Sequence, residues 1–332
     1  MKSPSSEYEL LADLQTILTE HSDIYEIEIG DDAAVRKGAD SHKLIFTTDL
    51  SVENVHFRQE WMSFFEIGYK SMVSNISDCA SMGAVPESAL IQLIFPKDAQ
   101  HLKECIKDLY RGFNEACKRW HFPVIGGDLS GGAQWAIGIT LIGKTPLNSR
   151  CLKRKGALAG DKLWVSGLPG KSAAGLDVLR KWGRKDAPPK YSQFLEAHIR
   201  PEPRTALGEL LREQPEVHAM MDLSDGLSKD CRTLAFENDL GIILNFSPLL
   251  IPYTMIELGA ETKKEPLIWL LDGGEEYELL FAASPSFQPS TLDYLYNREC
   301  ICIGEFSSNY HGLGIKNETG ISEILKGGWD HV

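Results

Sequence analysis

Asp32, Thr47, Thr48, Asp49, Asp78, Asp128, Asp222 and Asp225 are hard oxygen donors that recur near the ends of short apolar runs, several of them beside glycine. Oxygens of this kind gathered in one place are what magnesium takes as ligands, often together with a substrate's phosphates. Gly30-Asp31-Asp32 forms a turn with two adjacent carboxylates, and Leu44-Ile45-Phe46 then runs into Thr47-Thr48-Asp49. Glycine and aspartate also make ordinary turns, so this stretch alone leaves the chemistry open. Asp78 narrows it. Ser71, Asn75 and Asp78 share one face of a helical segment. Ile76, Cys79, Ala80 and Met82 surround Asp78 with small or apolar residues, so a buried carboxylate there requires a cation or hydrogen-bond donors. Gly126-Gly127-Asp128 follows Val124-Ile125, where glycine lets a ligand approach the backbone or closes a hairpin. In Asp222-Leu223-Ser224-Asp225, two carboxylates bracket a hydroxyl in one turn before a helix, and one of the three is expected to cap it. Gly273-Gly274-Glu275 repeats the pattern of glycine pair, acid and strand. With no Cys or His metal spacing, carboxylates on separate turns in both halves point to magnesium-bound polyphosphate.

The elements that must position these groups follow from periodicity. Helices are expected over residues 7 to 20, 64 to 82, 99 to 120, 173 to 181 and 228 to 237, and another from about 205. Strands are expected over 89 to 95, 135 to 142 and 162 to 166, and residues 183 to 204 read as a connection. Gly167-Leu168-Pro169-Gly170-Lys171-Ser172 resembles a phosphate-binding loop, but only two residues separate its glycines where that loop needs four. A helix N-terminus facing an anion remains open there. Residues 144 to 160 carry Arg150, Lys153, Arg154 and Lys155 and read as the boundary between domains at 1–148 and 149–332. Arg154 is the candidate to grip a nucleotide phosphate. His56 is a lone histidine near the Thr-Thr-Asp stretch, and Trp329 is either a packing plug or a stacking surface.

At 332 residues the chain can form two cores. Its 43% hydrophobic and 24% charged content is that of an ordinary globular protein. A net charge of −13 repels nucleic acid, so an anionic ligand must bring divalent metal or find a local cationic site. The cysteines lack Cys-x-x-Cys spacing and read as reduced core residues. The N-terminus has no apolar signal core and no run approaches a membrane span, so the expected location is the cytoplasm.

Taken in order, these stretches resemble the thiamine-monophosphate kinase family, within the larger fold family of aminoimidazole ribonucleotide synthetase. The resemblance is carried by Gly-Asp-Asp-Ala-Ala (30 to 34), Thr-Thr-Asp (47 to 49) with His56-Phe57, and Asn-Ile-Ser-Asp-Cys-Ala-Ser-Met-Gly-Ala (75 to 84). It continues through Gly-Gly-Asp (126 to 128), Arg154 with Gly156-Ala157, Asp-Leu-Ser-Asp-Gly-Leu (222 to 227), Gly-Gly-Glu (273 to 275) with Tyr277-Glu278-Leu279, and the Trp-Asp-His ending. It implies an N-terminal α+β domain whose sheet forms a homodimer, and a C-terminal α/β domain completing a cleft. The implied reaction is transfer of the γ-phosphoryl group of ATP, the co-substrate, to thiamine phosphate. By similarity, Asp32, Thr47, Thr48, Asp49, Asp78, Asp128, Asp222 and Asp225 hold several Mg²⁺ ions. Tyr110, Gly127, Asp128, Arg154 and Ser224 contact ATP; His56, Glu275 and Trp329 contact thiamine phosphate; no general base is assigned. The chain departs from the family pattern at Leu129-Ser130, at Glu276, which keeps a charge where Asp is usual, and at Asn54, a residue that tolerates left-handed angles.

Overall fold

A computed structural model describes residues 24–27, 31–38, 41–245, 251–292, 300–324 and 326–330. The expected helix over residues 7 to 20, Gly30 and His331 lie outside them. At the centre stands helix α1 (Phe64–Ser81). Ser63 starts it with a capping box: its hydroxyl accepts the Glu66 amide, and the Glu66 carboxylate accepts the Ser63 amide at 2.9 Å. The helix gives way at Met82, and Gly83 turns left-handed with φ of 68°. α1 is buried on most sides, as a helix between two sheets must be.

The first sheet has the order β1 (Tyr25–Ile27), β2 (Ala34–Arg36), β3 (His42–Val52), β6 (Ala136–Pro146), β4 (Val85–Pro96), β5 (Val124–Gly132). β5 runs parallel to β4, which requires a crossover, supplied by α2 (Leu102–Arg119). Strand alternation sends Ile45, Ile91, Leu93 and Ile139 into the core with α1 and α2, and leaves Leu50 and Ile94 exposed on the outer face. The two helices touch backbone to backbone: a methyl at Gly112 would stand 2.0 Å from Phe65 O, and one at Gly68 would stand 2.2 Å from Leu109 O.

The second sheet has the order β13 (Gly320–Glu323), β12 (Leu313–Asn317), β9 (Gly241–Leu244), β11 (Ile301–Ser307), β7 (Lys162–Val165), β10 (Glu278–Ala283), β8 (Val217–Leu223). Helices α3 (Lys171–Trp182), α4 (Ser192–Ile199), α5 (Thr205–Arg212), α6 (Leu227–Glu237), α7 (Tyr253–Thr262) and α8 (Pro266–Asp272) surround it. α5 joins the halves. A methyl at Gly208 would meet Ala80 O at 2.2 Å, and Arg212 donates to Gly83 O at 2.5 Å and to Thr145 Oγ1 at 2.9 Å. Arg150, in the segment between the sheets, donates to Arg212 O and Val217 O at 2.7 Å each, to Leu211 O at 3.3 Å, and to Gln214 O.

Three local expectations are corrected. Gly126-Gly127-Asp128 is not a turn but part of β5, because its backbone pairs continuously with β4. Thr47-Thr48-Asp49 lies inside β3 rather than at its end, paired with β6 from His42 to Val52. Residues 183 to 204 contain α4, which packs so closely on α3 that a methyl at Gly175 would stand 2.1 Å from Phe194 O. Most cysteines are buried free thiols, but Cys302 is exposed. Asn54 takes the left-handed φ of 65° expected of it.

Gly112→Ala should lower stability by about 1–3 kcal/mol, the usual cost of overpacking, because the nearest atoms are main-chain and cannot swing aside. Urea denaturation of the two proteins measures it; an unchanged midpoint would contradict the backbone contact.

Candidate active site

A cleft of about 1420 Å³ opens between the two sheets, with Asp32, Asp49, Asp78 and Asp222 on its floor and Glu275 and Trp329 farther along. Each acid comes from a different element. β3 alternates, so Thr47 and Asp49 face inward, and Thr47 Oγ1 donates to Asp78 Oδ2 of α1 at 2.5 Å. Ser77, next to Asp78, donates across to Asp222 Oδ2 at 2.8 Å, tying α1 to the end of β8 in the second sheet. Ser81, one turn on, donates to Asp32 Oδ2 at 2.7 Å. Arg154 closes the cluster: its Nε donates to Asp32 Oδ1 at 2.7 Å, and its amide donates to Asp31 Oδ2 at 3.2 Å.

These carboxylates disturb one another. Burial and the negative charges of Asp49, Asp222 and Asp32 push Asp78 well above the usual carboxylate range. Burial and Asp32 do the same to Asp222. Asp31 is pushed up to about 7, by burial and by Asp32. Such a cluster holds its charge comfortably only beside cations. The donor set, oxygen throughout, fits hard divalent ions. Among the described residues, no three carboxylate, imidazole or thiol groups are drawn close enough to enclose one ion unaided.

The other assigned residues divide. His56 borders the cleft, its Nδ1 accepting the Val52 amide at 3.0 Å, so the ring proton sits on Nε2. Trp329 is 47% exposed at the rim, with its amide on Asp225 O at 2.7 Å, so it is no packing plug. Glu275 is held by a left-handed φ of 61° and by its amide on Ser224 O at 2.6 Å. Asp225 pairs with Lys229 at 2.9 Å. Neither it, Asp222 nor Ser224 caps α6; Gly226 occupies the cap position without a side-chain bond, and Asp230 in the first turn accepts the Asp225 amide at 3.2 Å. Thr48 borders the cleft, but its hydroxyl bonds Ile139 O at 3.0 Å on the sheet's outer face. Asp128 pairs with Gln92 on that same outer face, and neither Asp128, Gly127 nor Tyr110 lines the cleft. Ser71 borders the cleft, whereas Asn75 turns inward and donates to Ser71 O at 3.2 Å.

Sequence reasoning missed Lys70, Ser77, Ser81, His198 and Asp230. Lys70 carried a signal: like Asp78, it is a charge among apolar neighbours, Ile67, Tyr69, Met72 and Val73. The Gly167 to Ser172 stretch does meet an acid, but an internal one. Glu276 accepts the Ser172 amide at 3.0 Å and the Ala173 amide at 3.4 Å, filling the N-terminus of α3. Burial and then the charge of Glu278 push Glu276 up to about 8, so at neutral pH it is mostly protonated instead of keeping its charge.

Two sheets bridged by one helix, with acids from both meeting in one cleft, place the chain in the AIR synthase-related class. A family model described as "AIR synthase related protein, N-terminal domain" matches residues 30–145. The chain belongs to the thiamine-monophosphate kinase family. It is 34% identical to the thiamine-monophosphate kinase of Bacillus subtilis over 82% of each chain, and 33% identical to that of Rhodopirellula baltica over 78% of this chain and 76% of the relative. A solved structure, AaThiL complexed with AMPPCP and TMP, superposes with a TM-score of 0.85 at 28% identity, covering 98% of this chain and 97% of that one.

Glu276 provides a pH test. Its pKa is raised from 4.5 to about 8 in the fold, so the stability it allows is complete below the unfolded value and declines as pH rises through that window. Glu276→Gln keeps an acceptor for the helix amides without the ionisation. Its melting temperature should fall less than that of the unsubstituted protein between those pH values; parallel pH curves would sink the assignment.

Proposed function

We propose that this chain phosphorylates thiamine phosphate to thiamine diphosphate with ATP in the cleft between its two sheets. The observation that carries the reading is the convergence of Asp32, Asp49 and Asp78 with Asp222 from the other sheet, on a cleft that also holds His56, Glu275 and Trp329. Its kinship with thiamine-monophosphate kinases agrees with it. The cleft would lie between domains at 1–148 and 149–332, and the free thiols suit a cytoplasmic location. No helix among the described residues is long and apolar enough to cross a membrane.

The acceptor needs no general base. A phosphate monoester has a second pKa of about 6 and is mostly dianionic at neutral pH, so its oxygen is already a nucleophile. Magnesium, when bound, would screen the repulsion between acceptor and polyphosphate and offset charge on the transferring group. Asp32, Asp49, Asp78 and Asp222, with Asp225 nearby, would hold the ions. Thr47 and Ser77 orient two of those carboxylates through the bonds described above. Arg154 and Ser224 would meet ATP. Trp329 would stack on the thiazolium cation, with His56 and Glu275 beside it.

Thr48, Tyr110, Gly127 and Asp128 require a further step. We infer that they act in a homodimer formed through the first sheet, where a second copy would cover the face exposing Leu50 and Ile94. Sedimentation should give twice the chain mass; a monomer that is fully active would overturn this.

The direct assay supplies ATP, Mg²⁺ and either thiamine phosphate or free thiamine, with products separated by chromatography. Thiamine diphosphate should form from thiamine phosphate alone. Asp78→Asn should lower kcat by roughly 10²–10³, the scale of losing a preorganised electrostatic group. The same variant should melt no lower than the parent in metal-free buffer at neutral pH, since it removes a crowded charge. It should also lose much of the parent's gain in melting temperature on adding Mg²⁺. Normal magnesium dependence in the variant would refute the role.

A further inference from the structure

Lys70 is 5% exposed in the middle of α1, yet it borders the cleft, and its Nζ stands 2.8 Å from Glu275 Oε2. Lys70 and Asp78 lie on one helix, separated by about 12 Å along its axis. α1 therefore offers a cation at one end of the cleft and a carboxylate at the other. Glu275 is met by Lys70 from α1 and by His198 of α4 at 3.7 Å, with His56, from the segment after β3, also near it. Tyr277, two residues on, and Arg180 of α3, which acts on His198, complete the titratable surroundings. His198 is pushed down to about 3, by burial and by Lys70, and is neutral; its Nδ1 lies 3.0 Å from Ser172 Oγ. Lys70, at 2.8 Å, is thus the basic group that stands nearest Glu275.

We propose that Lys70 is a positioning residue for substrate recognition: it engages one oxygen of Glu275 and keeps that carboxylate ionised and aimed, so that the other oxygen meets the cationic thiazolium end of thiamine phosphate. This rests on the kinase reading given above. Burial works against an ionised Glu275, yet Lys70, 2.8 Å away and the largest opposing influence, helps to hold it below the usual range. Without the ammonium, burial prevails and the acid takes up a proton at mildly acidic pH, leaving the thiazolium ring no counter-charge. The left-handed backbone of Glu275 adds to the aim, since such a conformation in a non-glycine residue persists only where its surroundings fix it.

The test compares Lys70→Met and Lys70→Arg with the parent enzyme from pH 5.5 to 8.5, reading KM for thiamine phosphate and for ATP. The ratio of variant to parent KM cancels titration of the substrate's own phosphate. Lys70→Met should raise KM for thiamine phosphate by about tenfold or more at the acidic end, with recovery as pH rises, a tenfold ratio being what one pKa unit produces. KM for ATP should stay within twofold, and Lys70→Arg should restore most of the loss. Carbon-13 NMR of Glu275 should show its titration moving upward in Lys70→Met. A KM ratio that is flat with pH, or a defect that arginine does not rescue, would overturn the proposal and leave Lys70 a packing residue. No turnover of thiamine phosphate by the parent would instead overturn the kinase reading, and with it the role assigned to Glu275.

Discussion

Asp78 stands on helix α1 and Asp222 at the end of β8 in the second sheet, yet Asp78 feels the charge of Asp222, and both feel Asp32 and Asp49. Left alone, such a group would spread apart or take up protons, since like charges at short range disfavour ionisation. The protein prevents the first by binding each acid to a neighbouring hydroxyl: Thr47 on Asp78, Ser77 on Asp222, Ser81 on Asp32. Two of those hydroxyls stand on α1 beside the acid they crowd. The repulsion is therefore built into one rigid helix and resisted by the sheets on either side.

That requirement explains the architecture around α1. A helix that must show acids and hydroxyls to a cleft still has to bury its remaining surface, and it does so against both cores. Gly68 and Gly112 let α2 settle against it, while Gly208 brings in α5 from the other half. Arg212 then reaches from α5 to Gly83 O, just past the end of the same helix, and to Thr145 of β6. Small residues thus fix the spacing at points where a single methyl would displace main chain, and the polar stripe inherits that precision.

Much of this was legible in the sequence because hydrophobic periodicity and glycine placement are local signals. α1 and α2 were expected almost to their ends; Asp78 was found because a charge among apolar neighbours needs a reason, and Asp32, Asp49 and Asp222 because they stand in acid-rich turns or at the end of an apolar run. What was not legible depended on pairing across distance. Nothing in Val124-Ile125-Gly126-Gly127-Asp128 states that it adds to the edge of β4, and the alternation inside β3 that separates Thr48 from Thr47 appears only once the strand's length is known. α4 escaped because a short helix owes its existence to the surface it packs on. Lys70 carried the same signal of a charge among apolar neighbours, but a lysine in a helix is easily read as solvated, its long stem reaching water from an apolar face.

The segment between the sheets carries one more consequence. Arg150 lays its guanidinium over a fan of main-chain carbonyls at the end of α5 and the start of β8, fastening the connector to the second half along its course. From Arg150 onward the connector is thereby held to the second half and gives it little freedom to bend there. Adjustment at the cleft then falls more naturally to its rim, where Trp329 stands half-exposed with its amide on Asp225 O.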